Sequence, residues 1–241
     1  MDGEFRSYLQ YIKWIPLIVF LVLCIITIYR KIRDKKLLET VTKQDRGTRT
    51  ERELVLKLLK HGIPAQAIFH DLYVKKTDSE FSQIDLVVAT KVGIIVFEIK
   101  KYSGWIFGNV DQREWTQVLA YGQEYYHFYN PILQNSKHIA ELRKKLKQFE
   151  NIQFYSIIVF FGNCELNDIK FVPHKTYIVK SERVLEVLDI ILLNNESVPY
   201  TDKYEVVKIL QEAVHNGKNK AIQTQHIENI EQMLGKHKVV G

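Results

Sequence analysis

At 241 residues the chain has room for one ordinary domain with appendages, and its 46% hydrophobic and 26% charged residues belong to a folded protein, not a disordered one. Two cysteines, Cys24 inside an apolar run and Cys164 standing alone, exclude a disulfide framework and a cysteine-based zinc cluster, and fit a reducing compartment. The net charge of +6 sits almost wholly in residues 30–60, where 11 Lys/Arg face 5 Asp/Glu, so the basic balance is weak evidence for nucleic-acid binding by the rest.

Residues 14–29, Trp14 to Tyr29, carry no charge and read as a transmembrane anchor, near the about 20 apolar residues that span a bilayer. Trp14 and Tyr29 suit the two interfaces, and Pro16 falls in the first turn, where a missing N–H costs little. A cleaved signal peptide is the alternative, but no small-x-small site follows; the chain runs straight into Tyr29-Arg30-Lys31-Ile32-Arg33. Five basic residues at 30–36 outnumber Arg6 and Lys13 before the span. The positive-inside rule then makes residues 1–13 a short extracytoplasmic N-terminus and places the bulk of the chain in the cytoplasm at the cell membrane. The same basic residues could touch anionic lipid, or DNA.

Residues 30–45 read as a basic juxtamembrane linker, residues 46–190 as the main domain and 191–241 as a C-terminal helical extension. A helical pattern opens at Thr50 with Leu54, Leu56, Leu58 and Leu59 and with Val55, and breaks at Gly62 and Pro64. Ala67-Ile68-Phe69 begins a strand, 82–89 and 93–100 form two more joined by a tight turn, and 105–107 and 114–118 are aromatic strand candidates. Pro131 to Phe149 is a helix, 154–161 a buried strand, 177–179 another strand, 181–193 a helix, and 203–234 two helical patterns. This order predicts an α/β fold: three layers, with a mixed central sheet flanked by helices and one transmembrane helix in front.

Charges interrupt two of the buried strands, in Ser82-Gln83-Ile84-Asp85-Leu86-Val87-Val88 and Gly93-Ile94-Ile95-Val96-Phe97-Glu98-Ile99-Lys100. Glu98 and Lys100 are two apart and share a face. A two-residue loop, with Thr90 opposite Gly93, sets Asp85 opposite Glu98; a four-residue loop sets it opposite Lys100; a three-residue loop sends it to the other face. Two adjacent carboxylates need a counter-charge to stay ionised, and Mg²⁺ or Mn²⁺ with its oxygen ligands supplies one. The other reading is a buried ion pair, Glu98–Lys100 or Asp85–Lys100. Gln134 and His138 share a helix face, where they could touch substrate phosphates or simply form a solvated surface. His127 lies in an aromatic run, Tyr125 to Tyr129, that either stacks bases or, as expected of aromatics, packs beneath the sheet.

The spacing Asp-(x)n-Glu-x-Lys resembles that of the PD-(D/E)XK nucleases, with their restriction-endonuclease-like fold, and more narrowly the chain resembles the NERD, or nuclease-related, domain. The likeness is carried by Gly47-Thr48-Arg49-Thr50-Glu51, Gln83-Ile84-Asp85, Gly93-Ile94, Val96-Phe97-Glu98-Ile99-Lys100, Gly104-Trp105-Ile106-Phe107-Gly108, Trp115, and Asn130-Pro131-Ile132-Leu133-Gln134-Asn135 with His138. Thr50 and Lys101 stand where the family often has glycine and asparagine. The resemblance implies a metal-dependent nuclease acting on DNA or RNA, with Asp85 and Glu98 as metal ligands, Lys100 as catalytic lysine, Glu51 reaching the metal from the first helix, and Gln83 and Gln134 as nearby polar groups. The alternative is a catalytically silent module of the same fold that binds nucleic acid or a protein partner at the membrane.

Overall fold

The computed structural model describes residues 14–77, 80–119, 122–149, 151–198 and 202–237; the segment 1–13 predicted to be extracytoplasmic lies outside them. Helix α1 is Ile15–Leu38, 24 residues, with no buried residue and enough length and apolarity to cross a membrane. Pro16 sits in its first turn, as expected. The helix does not stop at Tyr29: the charged residues Arg30 to Lys36 continue it, because Arg and Lys are good helix formers and no Gly or Pro intervenes.

Helix α2, Arg49–Lys60, is capped by Thr48, whose hydroxyl accepts from the Glu51 amide at 3.3 Å. It leads through a 3-10 turn at Ala65–Ala67 into the strands β1 (Ile68–Lys75), β2 (Phe81–Thr90) and β3 (Gly93–Lys101). Then come β4 (Gly104–Asn109), β5 (Glu114–Leu119) and β6 (Glu124–Tyr129), helix α3 (Pro131–Lys145), and strands β7 (Phe154–Phe161), β8 (Cys164–Lys170) and β9 (Thr176–Lys180). Helices α4 (Val184–Asn194), α5 (Lys203–Asn216) and α6 (Lys220–His237) complete the order.

The nine strands form two mixed sheets among the described residues, a five-stranded one ordered β1-β2-β3-β7-β9 and a four-stranded one ordered β6-β5-β4-β8. The first is the centre of three layers. On one face Leu86, Val88, Ile95 and Phe97 pack with Leu54 and Leu58 of α2 and Leu188 and Ile191 of α4. On the other, Val87, Ile94 and Val96 pack with Ile139 and Leu142 of α3 and Val206 and Leu210 of α5.

The second sheet grows out of the first. β3 and β7 run parallel to the pair Lys101–Phe161, and β4 and β8 resume parallel pairing at Gly104–Cys164. The pair bends between these points, where Gly104 (φ +75°) and Gly162 (φ +90°) supply left-handed backbone. At Gly162 a Cβ would stand 2.3 Å from the Tyr102 carbonyl oxygen. A third core, with Ile106, Trp115, Ile132, Ile158 and Phe160, fills the angle between the sheets.

The bend makes one test direct. Gly162→Ala is expected to lower unfolding free energy by about 1–3 kcal/mol, since both the left-handed backbone and the Tyr102 contact oppose a side chain. Denaturant unfolding of the two proteins measures it; equal midpoints would mean that the bend does not need glycine.

Candidate active site

The β2–β3 turn is the two-residue Lys91-Val92 loop, with Thr90 opposite Gly93 and pairing regular to Leu86 opposite Phe97. There the ladder stops. Asp85 breaks it by accepting a hydrogen bond from the Ile99 amide on its own carboxylate Oδ2, at 2.8 Å. β2 changes face at this residue: Ile84 belongs to the core under α3, Leu86 to the core under α2. β1 does the same beside it, since Phe69 and Leu72 share the α3-side core although they are three positions apart. Between them Asp71 takes the left-handed conformation (φ +55°) and drops out of the β1–β2 pairing. Parity places Asp85 only where strands keep their faces. Here two neighbouring strands exchange faces together, and Asp85 is left at the sheet plane.

Glu98 and Lys100 sit as their spacing requires. Lys100 Nζ stands 2.7 Å from Glu98 Oε1 and donates to Gln134 Oε1 at 2.9 Å. Gln134 comes from the first turn of α3, one turn ahead of His138. His138 Nε2 faces Glu98 Oε2 at 3.4 Å, while its Nδ1 shares a hydrogen bond of 2.9 Å with Ser82 Oγ. Glu98 Oε2 is nonetheless buried without a hydrogen-bond partner.

Glu51 approaches from α2, on the opposite side of the sheet. Thr48 Oγ1 donates to its Oε1 at 2.7 Å, and His70 Nε2 lies 3.2 Å from its Oε2 without hydrogen-bond alignment, leaving both those atoms unsatisfied. His70 is fixed in turn by Thr42 Oγ1, 2.8 Å from its Nδ1. Gly47 explains the opening of the Gly-Thr-x-Thr-Glu run: at φ +57° it lies so close that a Cβ would meet Glu51 Oε2 at 2.3 Å. Gln83 is not drawn to Lys100. It donates to Asp71 Oδ1 at 2.9 Å, and Asp71 is held by Arg46 Nε at 2.7 Å. Gln83 therefore braces the face exchange next to the site.

The electrostatics follow from this crowding. Burial first, then the charges of Glu98 and Glu51, push the Asp85 carboxyl well above the usual carboxylate range, against the Ile99 amide and Lys100. Burial pushes Glu51 up too, but His70 and the Thr48 hydroxyl outweigh it and hold Glu51 low. For Lys100 burial favours the neutral amine, yet the charge and hydrogen bond of Glu98 and the charge of Asp85 win, so its ammonium is held above the ordinary lysine value. Three carboxylates thus bear on one another electrostatically, with one ammonium nearby. Glu51 Oε2 and Glu98 Oε2 lack a hydrogen bond, as do the His70 and His138 Nε2 atoms that face them, and the carboxylate oxygens suit a hard divalent cation. Among the described residues no three His, Cys, Asp or Glu side chains are already gathered into a cage for an ion.

Two asparagines position this arrangement. Asn130, fully buried, caps α3 by accepting from the Ile132 amide at 2.9 Å and donates through Nδ2 to the carbonyls of Asn109, Val110 and Gln112. It ties the β4–β5 turn to the helix that carries Gln134. Asn135 donates to the Val96 carbonyl at 2.9 Å and Ser156 Oγ at 2.8 Å, pinning α3 to β3 and β7. The sequence signal was an Asn before Pro at a helix start. The aromatic run corrects an expectation in part: it is the edge strand β6, with Tyr125 63% and Tyr126 51% exposed and His127 also open, while Phe128 packs against Tyr102 and Trp115. By register Tyr125 and His127 share the outer face with Trp105, Phe107 and Thr116.

Residues 46–161 match the family model described as the nuclease-related domain, NERD. That segment is a NERD domain. An uncharacterized protein of Bacillus anthracis is 27% identical over 136 residues, which span 55% of this chain and 62% of that protein. No solved structure matches the chain. The NERD segment contains every candidate site residue, from Glu51 to His138.

The strain on Asp85 makes a testable claim. Its carboxyl is raised in the folded state, so the fold binds that proton more tightly than the unfolded chain does. Stability from this group is full below the ordinary aspartate range and is lost as pH rises toward the folded value. Asp85→Asn keeps an acceptor for Ile99 but removes the repulsion. In EDTA it is expected to be more stable than the parent at neutral pH, by about 1 kcal/mol, and equal to it at acid pH. Thermal unfolding against pH checks this; a variant less stable at neutral pH would contradict it.

Proposed function

We propose that this chain is a membrane-anchored, metal-dependent nuclease that hydrolyses phosphodiester bonds of DNA or RNA. One observation carries the reading. Glu98 and Asp85 are crowded into a buried sheet end that a lone Lys100 does not neutralise, inside a domain of a nuclease-related family. A purely structural Glu98–Lys100 pair needs neither Asp85 beside it nor an unpartnered Glu98 oxygen.

Asp85 and Glu98, with Glu51 behind them, would hold Mg²⁺ or Mn²⁺. When bound, such an ion polarises the scissile phosphate and favours hydroxide formation from a water. The protein's own groups do the rest. Lys100 stays an ammonium at neutral pH, which unfits it as a base and suits it to stabilising charge that grows on the phosphate. Gln134 fixes that ammonium from one side and Glu98 from the other. Gln83 acts through Asp71 as a positioning residue. The outer aromatic face of the second sheet supports contact with unpaired bases by stacking. The helix α1 supports anchoring, and the basic residues 30–36 support a cytoplasmic domain with anionic lipid at its base.

Purified full-length protein in detergent, incubated with single- and double-stranded DNA and RNA in Mg²⁺, Mn²⁺ or EDTA, tests the reading. Cutting is expected with metal only, and Lys100→Ala is expected to lower the rate by about 10²–10³-fold. Binding without cutting in either protein would favour the silent module instead. Separately, Tyr125→Ala is expected to weaken binding of a single-stranded oligonucleotide by about 1–3 kcal/mol, measured by fluorescence anisotropy. Unchanged affinity would remove the outer face from the substrate path.

A further inference from the structure

The central sheet has two ends. The candidate site occupies the end where β3 and β7 finish, and the opposite end carries the β2–β3 turn at Lys91-Val92. Helix α1 joins the domain at that second end. Its Asp34 pairs with Lys60, the last residue of α2, at 2.6 Å, and Leu38 and Val41 pack against the α2-side core. Thr40 and Val41 share a concavity with Ala65, Gln66 and Ile68, and Ile68 pairs with Val88, just short of the turn. Upstream of Asp34 the helix buries no residue and so projects clear of the domain. Tyr29 is only about 7 Å of helix before Asp34, at about 1.5 Å per residue. If Tyr29 marks the edge of the hydrocarbon, the turn end of the domain stands at headgroup level.

That same end holds large apolar side chains that no described residue covers. β9 starts beside the start of β7, and the loop that leads to it from Lys170, itself paired with Asn109 at the end of the second sheet, holds Phe171, 73% exposed, and Val172, 41% exposed. α4 leaves the site end, where the Ser181 amide bonds the Phe160 carbonyl, and runs back to finish at the turn end with Leu193 81% exposed and Ile190 41%. α5 begins there, with Val206 and Val207 beside Ala89 and Lys91, and its Tyr204 is 88% exposed. An apolar concavity of about 420 Å³, with Ala67, Ala89, Val198, Val206, Lys91 and Lys203 in its walls, opens among them. Phe171 is even held in a left-handed conformation (φ +56°), costly for a bulky residue displayed to water. Three separate elements each presenting an exposed apolar group on one side of a domain mark a surface that is covered in use.

We infer that this end of the domain lies on the bilayer that α1 crosses, with Phe171, Leu193 and Tyr204 inserted into its interface, so that the candidate site faces away from the membrane. The occupant is lipid because the helix that enters it delivers this end, and no other, to the headgroups. Contact is through apolar insertion, so it does not require anionic lipid. The inference rests on the reading of α1 as a spanning anchor.

The test uses full-length protein in phosphatidylcholine vesicles, in a Cys24→Ser, Cys164→Ser background. Single substitutions Phe171→Cys, Leu193→Cys and Tyr204→Cys each carry an environment-sensitive fluorophore, with Ile26→Cys reporting the anchor and Tyr125→Cys the far end. Lipids bearing a quencher high on the acyl chain are expected to quench the three labels at least about twofold more than the label at Tyr125→Cys. Quenching at Ile26→Cys but not at the three sites would overturn the inference and leave the anchor standing. No quenching at Ile26→Cys would fell the anchor, and the inference with it.

Discussion

The hydrogen bond from the Ile99 amide to the Asp85 carboxylate governs the rest of the site. A main-chain carbonyl would ordinarily take that amide and carry the β2–β3 ladder onward. By taking it with a side chain, Asp85 stops the ladder after Leu86–Phe97 and lets β2 change face. Ile84 can then enter the core beneath α3 while Leu86 stays under α2. The cost is electrostatic: a carboxyl pinned between Glu98 and Glu51 cannot ionise comfortably. A fold selected for stability alone would hold an Asn or a Ser there. On the reading proposed above, a bound cation would relieve that strain.

Helices on both sides bring the remaining groups. α2 delivers Glu51 because Thr48 caps it and Gly47 leaves room; α3 delivers Gln134 and His138 because Asn130 and Asn135 fasten it to the β4–β5 turn and to β3 and β7. Glu98 and Lys100 need no such help, since two residues on one strand share a face. The second sheet, folded out from the first at Gly104 and Gly162, carries an open aromatic face. One end of the central sheet thus gathers Glu98, Lys100 and Gln134, and the other end lies near α1.

The central sheet was legible from residues alone. Buried runs such as Phe154–Phe161 have no other stable home, the two-residue turn at Lys91-Val92 is one of the three lengths weighed, and the helical patterns from Thr50 and from Pro131 to Phe149 are α2 and α3, the second ending at Lys145. Glu98, Lys100 and Gln134 were expected together and are in contact. Three features were not legible. β8, Cys164-Glu-Leu-Asn-Asp-Ile-Lys, breaks its alternation at Asn167-Asp168, where Asp168 is left-handed (φ +48°), and lies at the sheet edge, so neither an apolar run nor a strict period announces it. β6 is aromatic yet solvent-facing, and aromatics alone suggest a core. The face exchange at Asp71 and Asp85 depends on both strands turning together, which no single-strand periodicity reveals, and it sends Gln83 to Asp71 rather than to Lys100.

The central claim is that this crowded carboxylate site exists to hold a divalent cation. Calorimetric titration of Mn²⁺ into the metal-free, full-length protein measures it most directly. Saturable binding is expected that weakens as pH falls, because burial and the neighbouring carboxylates favour the protonated Asp85, and that is lost in Glu98→Gln. Binding of equal strength in that variant, or no saturable binding by the parent protein, would contradict it.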